Sequence, residues 1–175
     1  FEDLSIHDLN EKEKYDIIFS WETLEHVIDN NKGFKNIYNA LVPGGLSLHT
    51  YNPFFSISGG HSLCTTDAFW GHARMTNKDF ENYLEEYSPD NVPNDFKNIS
   101  LDFFTKNLNR MTQHDLKKTI IDNGFNILEF IPRVEYNLLQ YISNNVLYQI
   151  KQLYPTVQLI DLISGYVTVL IKKPE

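Results

Sequence analysis

This sequence is poor in three things, and each shortage excludes something. It holds one cysteine, Cys64, in 175 residues. A single thiol rules out an internal disulfide framework and points to a reducing, cytoplasmic setting. It is short of positive charge, with 15 Lys and Arg against 23 Asp and Glu and a net charge of −8. A nucleic-acid surface needs a basic stripe, so no nucleic-acid partner is expected. It also lacks any apolar run long enough to span a bilayer, and no signal-peptide pattern is visible, so no membrane partner is expected. The length suits one domain with a real core.

What is present is organised around residues 15–51. The stretch opens with Tyr15, Asp16, Ile17, Ile18, Phe19 and Ser20, a short and mostly apolar run of the kind that forms a buried strand. Leu24, Val27 and Ile28 then share one helical face. Phe34, Ile37, Tyr38 and Leu41 follow at i, i+3, i+4, i+7. Pro43, Gly44 and Gly45 stop that helix and turn the chain into a second strand running from Leu46 to Tyr51. Strand, helix, strand is a βαβ unit with an expected right-handed crossover.

The wording is more specific than the pattern. Asp-Ile-Ile-Phe-Ser, then Glu-Thr-Leu-Glu-His-Val, then Leu-Val-Pro-Gly-Gly-Leu resembles the middle of class I S-adenosylmethionine-dependent methyltransferases. In that family these are the fourth strand, the helix after it and the turn into the fifth strand. The resemblance implies an α/β, Rossmann-like methyltransferase fold, a mostly parallel sheet with a last antiparallel strand and helical insertions. It implies S-adenosylmethionine as cofactor. The family begins with a strand and a glycine-rich turn that cradles the cofactor's methionine end, where close backbone approach requires glycine. No such turn precedes Tyr15, and the chain starts at Phe1. The expectation is therefore an N-terminally truncated domain covering the last two-thirds of the family's length.

The resemblance also nominates residues. The stretch 3–7 is expected to end the family's third strand, making Asp8 the partner of the adenine amino group and Leu9 an apolar neighbour of the ring. Asp3 is an alternative for the same role, and a solvated turn is the plain reading of Asp8. Ser20, Trp21 and Glu22 fall at the carboxyl end of the next strand, where open α/β sheets bind ligands. They are expected to line the methionine half of the cofactor, with Trp21 either walling the site or packing under the following helix. His26 is either close to the cofactor or a structural histidine. Tyr51 and Asn52 end the fifth strand, and are read either as substrate-binding residues or as ordinary strand-end residues.

Residues 54–110 form a long insertion rich in aromatics, with a helix expected over 77–87, a stop at 88–90, polar loop over 91–98 and apolar residues again to 108. Within it, His61 and His72 are candidates to take a proton from an acceptor hydroxyl. Arg74 is a candidate clamp for an anionic substrate group. The alternative is an aromatic cap whose polar groups serve its own turns. No cysteine or carboxylate sits at ligand spacing, so no metal is expected.

The core resumes with a helix that has Thr112 as N-cap, Asp115 three residues on, Met111 and Leu116 as a hydrophobic staple and Gly124 as its stop. A strand follows over 125–131. Residues 134–164 form a second insertion, in which Leu139, Ile142, Val146, Ile150 and Leu153 mark one long amphipathic helix. A last strand runs over 165–173 and, by the resemblance, lies antiparallel between the fifth and sixth strands. The reading is one partial domain, 1–175, with core 1–53, 111–133 and 165–175.

The implied function is methyl transfer to a small-molecule or sugar-containing acceptor, with oxygen preferred as acceptor atom. A non-catalytic methyltransferase-like scaffold and a nicotinamide-dependent enzyme are the alternatives. A homodimer through the helix at 137–154 or through an unpaired edge at 15–20 is a further expectation.

Overall fold

The computed structural model describes residues 4–59, 61–87 and 94–175. In chain order the elements are β1 (Tyr15–Trp21), a 3-10 turn (Leu24–His26), α1 (Asn30–Ala40), β2 (Leu41–Tyr51), a 3-10 turn (Ser62–Cys64), α2 (Gly71–Arg74) and α3 (Asn77–Tyr87). Then come α4 (Asn94–Lys106), α5 (Gln113–Asp122), β3 (Asn126–Val134), a 3-10 turn (Tyr136–Tyr141), α6 (Asn144–Leu153), α7 (Leu159–Ile163) and β4 (Ser164–Lys172).

Among the described residues the strands make one sheet in the order β1-β2-β4-β3. β1 and β2 are parallel, and β4 runs antiparallel to both β2 and β3. The expected final strand is thus in its expected place. The Pro43-Gly44-Gly45 turn does not precede β2 but lies inside it. Tyr15 is opposite Leu41 and Ile17 opposite Leu46, so β2 bulges between those pairs. Gly44 has a φ of 78°, and a Cβ at Gly45 would meet Val42 O at 2.9 Å, so both positions require glycine.

Period-two alternation divides the sheet sharply. One face carries Ile18, His49, Tyr51, Val167, Val169 and Ile171, covered by Phe34 and Ile37 of α1 and by Leu116 and Ile120 of α5. The other carries Ile17, Phe19 and Trp21, exposed by 63%, 73% and 65%, with Leu48 and Ile131 also exposed. No described element covers that face, and no described strand pairs with the outer edge of β1.

α5 forms as its sequence dictates. Thr112 Oγ1 accepts from Asp115 N–H at 3.1 Å, and Asp115 accepts from Thr112 N–H at 3.2 Å, closing the capping box. Met111 and Leu116 are both buried, and Gly124 has a φ of 86° after the last turn.

Three local expectations are corrected. Residues 4–7 make a turn, not a strand, because they pack along α1, whose Asn36 Nδ2–H donates to Ile6 O and His7 O; Asp3 lies outside the described residues. They therefore do not fold onto the β1 edge. The polar stretch from Asn94 is helical, the first turn of α4, while 91–93 and the expected stop at 88–90 lie outside the described residues. The single helix expected over 137–154 is split into a 3-10 turn and α6. Ser143 adopts an extended N-cap conformation and accepts from Val146 N–H at 3.2 Å, which restarts the helix.

The two insertions meet. Phe54, Trp70, Phe80 and Phe104 of the first pack with Ile150, Val157 and Leu162 of the second in one core of their own. Trp70 Nε1–H donates to Leu162 O at 3.1 Å, and Arg74 Nε–H donates to Gln149 Oε1 at 2.6 Å. The Arg110 guanidinium lies 4.5 Å from the Phe104 ring centroid and 5.1 Å from that of Phe54, and donates to Tyr154 Oη at 2.9 Å. The insertions form one subdomain beside the carboxyl ends of β1 and β2.

Candidate functional site

The chain leaves β1 abruptly. Glu22 takes a left-handed backbone conformation, φ 48°, while its N–H donates to Thr50 O at 2.9 Å. A non-glycine residue in that region is uncommon and strained, which directs attention to it. Glu22 lies in a cleft of about 590 Å³ with Trp21, Asn52, Arg133, Glu135, Gly165 and Tyr166. This cleft sits at the carboxyl ends of β1 and β2, where the start of β4 and the end of β3 close its far side. The Trp21 and Tyr166 rings are 6.4 Å apart. Trp21 therefore walls the cleft rather than packing under a helix. Arg133, Glu135 and Tyr166 were not nominated by sequence; they reach the cleft through antiparallel pairing with β4, which no local motif announces.

The turn after Glu22 is gripped from the end of the first insertion. Asn109 N–H donates to Glu25 O at 2.9 Å, and its side chain donates to Leu24 O and Val27 O at 2.5 and 3.0 Å. His26 Nδ1–H donates to Asn107 O at 2.8 Å. Glu25 is buried, and burial pushes its carboxyl above the usual range. Its Oε1 accepts from Asn52 N–H at 3.4 Å, while Oε2 has no partner among the described residues. Asn107, Asn109 and Glu25 are site-building residues that sequence reasoning passed over, since their bonds span about eighty residues or run to backbone.

Beneath this level, Ser20 belongs to a network rather than to the cleft surface. Its O–H donates to His49 Nδ1 at 2.7 Å, His49 Nε2–H donates to Ser47 Oγ at 2.7 Å, and Ser47 O–H donates to Ile18 O at 3.1 Å. Burial lowers His49 to about 4, so the ring stays neutral and staples β1 to β2.

The remaining nominated residues scatter. Tyr51 is 1% exposed and its hydroxyl is enclosed, which raises its pKa by desolvation; it does not face the cleft. His72 is likewise buried, lowered to about 4 by desolvation, and spends Nε2–H on Phe54 O at 2.8 Å. It is a structural histidine, and the proposal of a base there is corrected. Arg74 lines a separate groove with Met75, Gln149 and Leu153.

Asp8 and Leu9 line a different cleft, of about 760 Å³, with Tyr38, Asn39 and Lys173. That cleft lies at the amino ends of the parallel strands, opposite Trp21 and Glu22, so the structure does not bring Asp8 to the candidate site. His61 and His26 do meet, with ring centroids 6.0 Å apart.

These residues fit one wall of a cofactor site and not a whole one. β1 leads into a 3-10 turn and β2 into aperiodic chain, so no described parallel strand enters a helix through a glycine-rich turn. Trp21 and Glu22 supply a surface whose opposite side, beyond the β1 edge, is open.

The strand order, the parallel pair and the antiparallel insertion of β4 define the Rossmann-like class I methyltransferase fold. A model of the methyltransferase domain matches residues 2–129, and the chain belongs to that family. No curated protein sequence matches it. Among solved structures, a Listeria monocytogenes protein described as an S-adenosylmethionine-dependent methyltransferase is 16% identical with a TM-score of 0.52, over 99% of this chain and 68% of that one. The Haemonchus contortus phosphoethanolamine N-methyltransferase 2, solved with S-adenosyl-L-methionine, is 18% identical with a TM-score of 0.50, over 98% of this chain and 36% of that one. The [4+2]-cyclase SpnF is 13% identical with a TM-score of 0.50, over 99% of this chain and 55% of that one. The chain spans between 34% and 68% of the length of eight of its solved neighbours. No described helix is long and apolar enough to cross a membrane.

Proposed function

We propose that this chain is the acceptor-side part of an S-adenosylmethionine-dependent methyltransferase acting on the oxygen of a small, hydroxyl-bearing molecule. The observation that carries the reading is the cleft at the carboxyl ends of β1 and β2, built around the strained Glu22 and floored by the family's own sequence stretch. The cofactor supplies an electrophilic methyl group when bound. This chain's residues orient the acceptor and exclude water, through the Trp21 and Tyr166 rings, the Arg133 and Glu135 side chains and the insertion subdomain above.

Calorimetric titration with S-adenosylmethionine and S-adenosylhomocysteine, read alongside Trp21 fluorescence, tests this. Trp70 is fully buried and Trp21 is not, so a cofactor on the Trp21 wall changes the exposed indole's emission and leaves the buried one's. Weak binding with a Trp21 response is expected from a one-walled site, and it is lost in Trp21→Ala. Binding that leaves Trp21 silent would place the cofactor elsewhere and sink the reading. The scaffold alternative is favoured by the uncovered sheet face; it predicts no response to either ligand.

A further inference from the structure

We propose that His26 and His61 form a binding site for one neutral hydroxyl, in which His26 Nε2 accepts its proton and His61 Nε2–H donates to its oxygen. The assignment comes from what each ring must do with its other nitrogen. His26 Nδ1 faces Asn107 O at 2.8 Å, and a carbonyl only accepts, so Nδ1 carries hydrogen and the neutral ring's Nε2 is a lone pair. His61 Nδ1 faces Leu63 N–H at 3.2 Å, and a backbone N–H only donates, so Nδ1 is the lone pair and Nε2 carries hydrogen. Two neighbouring histidines held by opposite backbone groups thus carry opposite tautomers.

The rings are close enough to share one atom. Their centroids lie 6.0 Å apart at 70°, and Phe103 packs against both, at 5.7 Å from His26 and 4.3 Å from His61. Each ring nitrogen lies about 1 Å from its centroid, so one hydroxyl oxygen about 2.8 Å from a nitrogen of each ring fits a centroid separation of 6.0 Å. Neither Nε2 has a hydrogen-bond partner among the described residues, and both rings are half-buried. The buried histidines differ in this respect: His49 uses both nitrogens within the protein.

A hydroxyl satisfies both atoms where a charged group does not. It offers one donor and free lone pairs, whereas an ammonium has no lone pair for His61 and a carboxylate has no hydrogen for His26. His61 stays in its donor form for two reasons. Protonating Nδ1 breaks the bond from Leu63, and burial together with the charge of a protonated His26 lowers its pKa. Sequence had nominated His61 as a base; the geometry gives the accepting role to His26. The link to the cleft runs through the chain: Glu25, adjacent to His26, accepts from Asn52 N–H of the cleft wall. As the acceptor site of methyl transfer it rests on the reading above, but the tautomers do not.

The test is therefore made without cofactor. Long-range proton–nitrogen correlation NMR on the chain with labelled histidine, at about pH 8, is expected to show His26 as the Nδ1–H tautomer and His61 as the Nε2–H tautomer. Benzyl alcohol, benzylammonium and benzoate are then added as matched probes. Benzyl alcohol alone is expected to shift both Nε2 signals, and His61→Phe is expected to weaken that binding about fivefold to tenfold. The same tautomer on both rings, or equal shifts from benzoate or benzylammonium, overturns the proposal. If the tautomers and probe selectivity hold while S-adenosylmethionine fails to bind, the methyl-transfer reading falls and the hydroxyl site stands.

Discussion

The two faces of the sheet are made of the same kinds of residue and have opposite surroundings. On one, Phe34 is 1% exposed and its ring meets His49 at 5.6 Å and Phe125 at 6.4 Å. On the other, Phe19 is 73% exposed between Ile17 and Trp21. A strand apolar on both faces is the pattern of a sheet covered on both sides, so the sequence of β1 is written for a cover that no described element supplies. Exposed apolar patches and unpaired strand edges are the places where other chains commonly dock, and β1 carries both among the described residues.

The largest effect expected from this contrast comes from paired substitutions. Phe34→Ala removes a packed ring and is expected to cost about 3–5 kcal/mol in urea unfolding. Phe19→Ala is expected to change stability by no more than about 0.5 kcal/mol, while lowering self-association measured by light scattering. A Phe19→Ala cost matching that of Phe34→Ala would show that the bare face is covered in solution.

The next effect is acid sensitivity, to which the two buried histidines contribute. His49 and His72 titrate near 6.5 when unfolded and at about 4 when folded, because burial disfavours the charged ring. Between those values the unfolded state binds more protons, so stability falls as pH drops from about 6.5 to about 4. The loss is on the order of 3 kcal/mol per ring at most. Urea midpoints across that range should flatten in the variant carrying His49→Gln and His72→Gln. An unchanged slope would assign the acid sensitivity to other groups.

The smallest is Thr112→Ala. It removes one half of the capping box on the covered side and is expected to cost about 1 kcal/mol, visible as a lowered thermal midpoint. No measurable change would mean the buried staple of Met111 and Leu116 fixes α5 without its cap.

Periodicity and caps explain what could be read in advance. β1, α1, α5 and β4 follow from alternation, i, i+3, i+4 spacing and the Thr112 box, all local signals. The break before α6 was hidden because Leu139, Ile142, Val146 and Ile150 keep helical spacing across it, and only Ser143 marks the restart. The site was less legible than the fold. Trp21, Glu22 and Asn52 follow from their position at strand ends. Asp8 was misplaced because its path along α1 depends on Asn36, a tertiary bond. The roles of His26 and His61 depend on which backbone atom each meets, Asn107 O or Leu63 N–H, and composition carries no trace of that.

The shared core of the two insertions has a further consequence. Residues separated by the whole of α5 and β3 are exchangeable only together. A shortened first insertion would leave Ile150, Val157 and Leu162 facing water, and an altered second one would strip Trp70 of its carbonyl partner. A change in the length or packing of one insertion is therefore felt in the other. The α5–β3 segment between the halves is the fixed spacer across which their lengths must stay matched.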